Sequence, residues 1–172
     1  MSEKSLLTGK RILVVDDEAD ILEMVKELLP MCEVVTASNF EEARALLISE
    51  PFDMAILDIM GVNGYALLET ARQKKVPAAM LTAHAFTPTN LVRSIKEGAV
   101  AYIPKEELSN LVAFLEDILK AAKEGRSPWE PWQERLPSSY FEKRWGAAWR
   151  DIEEEFWARF KASIQAKQDA SS

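Results

Sequence analysis

RILVVDDE, residues 11–18, is a short apolar run that ends on acids. Polar and apolar residues do not alternate in it, so it suits a parallel strand buried on both faces. Similar runs at 33–36, 53–58 (DMAILD), 78–82 (AAMLT) and 100–103 (VAYI) predict four more strands. Helix patterns fill the gaps. Residues 18–29 set Ile21, Leu22, Met24, Val25, Leu28 and Leu29 on one stripe, with Pro30 as the stop. Residues 39–49 begin at Asn39, a residue type suited to an N-cap, and offer Phe40, Ala43, Leu46 and Leu47 for burial. Shorter patterns occupy 65–74 and 89–97. Residues 106–123 repeat Leu108, Leu111, Val112, Leu115, Ile118 and Leu119, and Gly125 supplies the stop.

Strand and helix alternating in this way predict an α/β domain with a parallel sheet. The expected architecture is a flavodoxin-like, doubly wound five-stranded sheet in the order 2-1-3-4-5, followed by a C-terminal α-helical extension. The ligand site of such a sheet lies at the carboxyl ends of strands 1 and 3, where the winding reverses. The expected division is a domain over 1–125, a Pro/Trp-rich linker over 126–137, and an amphipathic aromatic helix with a short disordered end over 138–172.

Composition narrows the function classes. The chain has 172 residues, of which 48% are hydrophobic and 28% charged, with a net charge of −7. Up to Gly125 there are 13 Lys and Arg against 20 Asp and Glu; beyond it the count is 8 against 8. Neither part has the basic footprint of a nucleic-acid binder. No apolar run approaches the roughly 20 residues that cross a bilayer. The first ten residues lack a secretory apolar core, and a lone cysteine, Cys32, excludes an internal disulfide. The expected location is the cytoplasm, with no membrane partner.

The chemistry sits at the strand ends. Asp16 and Asp17 close the first strand and Asp58 the third, and in the expected order these strands are neighbours. Converging carboxylates repel unless a cation lies among them. Carboxylates at such a crevice suit Mg²⁺, which binds through one or two of them plus a phosphate. Thr82 ends the fourth strand and Lys105 follows the fifth, adding a hydroxyl and an ammonium suited to phosphate oxygens.

ILVVDDE, AILDIM, MLTA and YIPK, in that order, resemble the receiver domain of two-component response regulators over roughly residues 9–124. The resemblance implies Asp58 as phosphoacceptor, Asp17 as a direct Mg²⁺ ligand, Asp16 as a second acid acting through water, and the Met60 backbone carbonyl as a further ligand. It implies Thr82 as the switch hydroxyl, Lys105 as the phosphate-pairing lysine, and Tyr102 as the aromatic that turns inward on activation. The implied partner is a sensor histidine kinase or phosphotransfer protein, and the implied output is a change in protein–protein contacts. Such a protein is not an enzyme beyond catalysing its own phosphorylation and slow dephosphorylation.

Two features depart from the family pattern. The loop after Asp58 reaches its glycine as though two residues were missing, and Glu106 follows Lys105 where the family usually has a proline. His84 and Met60 are positioned in the sequence to flank the attacking water. The rival readings are a non-phosphorylated pseudo-receiver, acting as a binding or dimerisation module, and an enzyme on the same architecture. For the enzyme, the Gly-rich loop of a flavodoxin and the Asp-x-Asp of a dehalogenase-type phosphatase are both missing.

Beyond Gly125, residues 126–137 hold three prolines and read as a stiff, extended segment. Ser139 and Glu142 have capping-box spacing. Phe141, Trp145, Trp149, Ile152, Phe156, Phe160 and Ile164 recur every three or four residues, interrupted only by Gly146. This predicts one helix of about 28 residues, roughly 42 Å long. So aromatic a stripe needs cover: a second copy, a downstream protein, or its own domain. A homodimer through this tail, or through the face of helix 4, strand 5 and helix 5, is expected ahead of folding back.

Overall fold

The computed structural model describes residues 5–83, 87–146, 154–155, 157–158 and 160–162 of the chain. Five strands form one fully parallel sheet: β1 (Arg11–Val15), β2 (Glu33–Ala37), β3 (Met54–Asp58), β4 (Ala78–Thr82) and β5 (Ala101–Pro104), in the order β2-β1-β3-β4-β5. β3, β4 and β5 are buried along their whole length, as their unbroken apolar runs require. β2, at one edge, is only half-buried.

The helices are α1 (Ala19–Leu28), α2 (Phe40–Ser49), α3 (Gly64–Gln73), α4 (Pro88–Lys96) and α5 (Leu111–Glu124). Asn39 caps α2 as its residue type foretells, its side chain accepting from Glu42 N at 2.9 Å. Thr87 does the same for α4, with Pro88 in the first turn, where a missing N–H has no consequence. The expected helix over 106–123 divides: a 3-10 helix, Lys105–Asn110, precedes α5. Gly125, with φ +70°, ends α5 in the left-handed conformation that glycine adopts without strain.

The C-terminal segment differs from its sequence expectation in four ways. The stretch over 126–137 is not extended but carries α6 (Trp129–Arg135). Its prolines do not forbid this: Pro128 and Pro131 lie at the N-cap and in the first turn, where helices tolerate proline. The capping box does not form; α7 (Ser138–Trp145) takes Pro137 as its N-cap and has no side-chain cap. Nor is the helix continuous from there. Gly146, with φ +64°, ends α7, its N–H donating to Glu142 O at 2.7 Å, and the described residues between 154 and 162 are helical again. Trp149, Ile152, Phe156 and Ile164 lie outside the described residues.

The fourth difference concerns cover. The segment folds back on its own domain, and the buried side chains of Trp129, Trp132, Leu136, Phe141 and Phe160 join the same core as the sheet. Trp132 stacks on Phe160 with 5.8 Å between ring centroids and lies 6.0 Å from Phe141, while Trp129 meets Trp132 edge-on at 5.1 Å. Both indole N–H groups reach main-chain carbonyls around the edge strand: Trp129 Nε1 donates to Ala99 O at 3.1 Å and Trp132 Nε1 to Tyr102 O at 2.8 Å. Arg135 forks onto Asp117 of α5, one arm at 3.2 Å. Aromatic area of this size finds cover against whatever apolar face is nearest, and here the nearest face is tethered.

Because tail and sheet share one core, Trp132→Ala lowers the stability of the whole protein by about 3–5 kcal/mol. Urea denaturation followed by circular dichroism reads this. A tail that packs independently would instead leave the main transition at its wild-type midpoint.

Candidate functional site

The pairing register arranges the strand ends in steps. Asp58 lies opposite Leu81, one residue before Thr82, and Thr82 lies opposite Pro104, one residue before Lys105. Asp16 follows β1 directly and its N–H still bonds to Ala37 O. These placements bring Asp17, Asp58, Met60, Thr82 and Lys105 to one cleft of about 210 Å³, together with Glu18, Gly61 and Ala83. Asp16 reaches the group from below, fully buried. Tyr102 is not on the cleft. Its ring is buried in the core, where its hydroxyl meets the Thr82 side chain and the Thr87 N–H at 3.3 Å. Met60 is 71% exposed at the rim. His84 lies outside the described residues.

Lys105 organises the charges. Its Nζ is 2.9 Å from Asp16 Oδ2, 3.0 Å from Glu18 Oε1 and 3.5 Å from Asp58 Oδ1. Asp16 Oδ1 accepts from Glu18 N at 2.8 Å, which turns the chain into α1. Asp58 Oδ2 accepts from Gly61 N at 3.1 Å. Burial pushes the Asp58 carboxyl above its ordinary range; Lys105 and the Gly61 N–H pull it down, and the charge of Asp17 raises it further. Asp16 is also raised, by burial first, against the pull of Lys105 and the Glu18 N–H. For Lys105 burial acts downward, but its bonds and charge contacts with Asp16, Glu18 and Asp58 prevail and raise it. Burial is the first cause for both acids, and with Glu18 beside them the carboxylates here outnumber the one ammonium.

That surplus bears on cation binding. Carboxylate oxygens of Asp16, Asp17 and Glu18 come within 4.8 Å of one another. Asp16 Oδ2 is in charge contact with Lys105 yet has no aligned hydrogen-bond donor, an exception for a buried oxygen. An all-oxygen, net-negative donor set fits a hard divalent cation such as Mg²⁺.

Glu18 and the loop glycines were not singled out from the sequence. Glu18 shares Lys105 across 87 positions of chain, a pairing no local pattern announces, although it is the third acid of the opening run. The glycines of the β3–α3 loop also have structural roles. A Cβ at Gly61 would collide with the Asp17 carboxylate, and one at Gly64 with the backbone carbonyl of Asp58. The loop closes tightly, with Asn63 at φ +54° leading into α3.

The profile of the response regulator receiver domain matches residues 12–116. This chain belongs to that family. The receiver is 35% identical over 131 residues to the phosphate regulon transcriptional regulatory protein PhoB of Pseudomonas aeruginosa, covering 70% of this chain and 56% of that protein. It is 35% identical over 130 residues to the transcriptional regulatory protein CpxR of Escherichia coli, covering 72% and 53%. The chain thus spans about half the length of these curated relatives. Among solved structures, a CheY-like receiver domain protein from Methanospirillum hungatei is 32% identical, with a TM-score of 0.58 over 68% of this chain and 99% of that one. A receiver is a phosphoacceptor module rather than a conventional enzyme, and its family implies a histidine kinase as partner. The matched span ends within α5, so α6 and α7 form an additional helical region.

The raised Asp58 carboxyl gives a signed pH dependence. A folded-state value above the unfolded one means that the native protein holds the extra proton, so this group's contribution falls as pH rises through and above the ordinary carboxylate range. In metal-free protein, Asp58→Asn therefore gains stability relative to the wild type between pH 4 and pH 7. Thermal denaturation across that range checks it; a gap that stays constant or narrows with rising pH contradicts the burial argument.

Proposed function

We propose that this chain is a phosphorylatable signalling switch in which Asp58 accepts a phosphoryl group from the phosphohistidine of a sensor kinase or phosphotransfer protein. The observation that carries the reading is a nearly buried carboxylate at the end of β3, 3.5 Å from the Lys105 ammonium and in one cleft with Asp17 and Thr82. An Asp58 oxygen attacks phosphorus, the P–N bond breaks as the P–O bond forms, and the imidazole leaves with a proton. Lys105 neutralises charge on the transferring group, and the Thr82 hydroxyl donates to one of its oxygens. Asp17, Asp58 and the Met60 carbonyl would hold Mg²⁺, with Asp16 as the second acid. When bound, the ion offsets negative charge on the carboxylates and phosphate alike. Hydrolysis of the acyl phosphate by water resets the switch slowly.

The output is a change in protein–protein contacts, made in the cytoplasm. No described helix is long and apolar enough to cross a membrane, and the acidic balance offers nucleic acid no basic face. A downstream protein or a second copy must then use surface that the tail leaves open, or displace the tail.

Incubation with Mg²⁺ and acetyl phosphate adds one phosphoryl group, read by intact mass, and Asp58→Asn abolishes the gain. Lys105→Ala reduces the rate by about 10²-fold or more. Absence of any gain, or a gain that survives Asp58→Asn, removes this reading and leaves a non-phosphorylated binding module. Mg²⁺ at 100 times its Kd raises stability by about 2.7 kcal/mol, and Asp17→Asn removes most of that rise in a thermal melt.

A further inference from the structure

The helical segment after Gly125 touches the receiver at the elements that adjoin its phosphorylation cleft. Trp132 Nε1 holds the main-chain carbonyl of Tyr102, whose ring is fully buried with its hydroxyl against Thr82. Thr82 in turn lines the cleft with Asp58. A second line of contact starts at Glu106, the residue directly after Lys105. Its Oε1 accepts from the Tyr140 hydroxyl at 2.6 Å and pairs with Arg144, whose guanidinium lies 4.5 Å over the Tyr140 ring. Glu106 stands where the family usually has proline, and here it serves as a latch for α7. Trp129 on Ala99 O and Arg135 on Asp117 extend the attachment from the α4–β5 turn to α5.

We infer that the segment Arg126–Trp145 is a tethered ligand of the edge formed by the α4–β5 turn, β5 and α5 that selects the buried position of Tyr102, so that tail docking and phosphorylation of Asp58 favour one another. The inference rests on the phosphoacceptor reading of Asp58. Trp132 is seated on the Tyr102 carbonyl, and the Tyr102 ring is fully buried. Phosphorylation that draws Thr82 to a phosphoryl oxygen favours the same buried ring. Two events that favour one state raise each other's affinity by the same factor. The partner of this face is therefore the chain's own aromatic segment, bound in cis, and the state of the cleft sets how firmly it is held.

The sequence provides the probe. All five tryptophans, at 129, 132, 145, 149 and 157, lie in the tail, so tryptophan emission reports the tail alone. In the full chain, Mg²⁺ with beryllofluoride, standing in for the phosphoryl group on Asp58, shifts this emission in the wild type and not in Asp58→Asn. Trp132→Phe keeps the ring but deletes the donor to Tyr102, and Glu106→Ala releases α7; neither touches the cleft. Each weakens beryllofluoride binding, titrated by fluorine NMR, by about fivefold to tenfold. Wild-type affinity in both variants, with their folds verified by circular dichroism, overturns the inference. A wild type that gains no phosphoryl mass fails one step earlier, at the phosphoacceptor reading, and is told apart by that measurement alone.

Discussion

One ammonium among three carboxylates is the interaction on which the rest of this receiver depends. Asp16 is fully buried, and an ionised carboxylate survives there only beside a compensating charge. Lys105 is that charge, and it reaches Asp16 because β1 and β5 both end at the same side of a twisted parallel sheet. The sheet order follows from right-handed crossovers between short buried strands. Topology, in this sense, is what makes the acidic crevice tolerable. Burial holds both acids above their ordinary range even beside Lys105. The carboxylate oxygens gathered there suit a hard cation.

The tight β3–α3 connection is the other constraint. The backbone must turn from Asp58 into α3 with few residues, so Gly64 passes where any side chain would strike the Asp58 carbonyl, and Asn63 takes a left-handed conformation. The same economy aims the Gly61 N–H at Asp58 Oδ2. This tight loop delivers a donor to the carboxylate.

Much of this architecture was legible in the sequence because its signals are local. Unalternating runs such as DMAILD mark strands, Asn39 marks a cap, and Gly125 marks a stop. The acids, Thr82 and Lys105 were legible because each adjoins a strand end, so finding the strands finds the cleft. What escaped depends on distant partners. Nothing near Glu18 announces Lys105, and nothing near Glu106 announces Tyr140 and Arg144. Proline content argued for an extended stretch, whereas the position of each proline within its turn permitted α6. The aromatic stripe correctly demanded cover, but periodicity says only that a face is apolar and not which surface it meets.

The docked tail also sets terms for every other molecule that approaches the same face. A segment joined to its site through a few residues acts at an effective concentration in the millimolar range. A free competitor of equal intrinsic affinity must reach that concentration before it displaces half of the tail, so weaker encounters are filtered out. The receiver's surface thus carries an affinity threshold written into its own chain, and only partners that bind well, or that arrive when the tail's hold has loosened, gain entry.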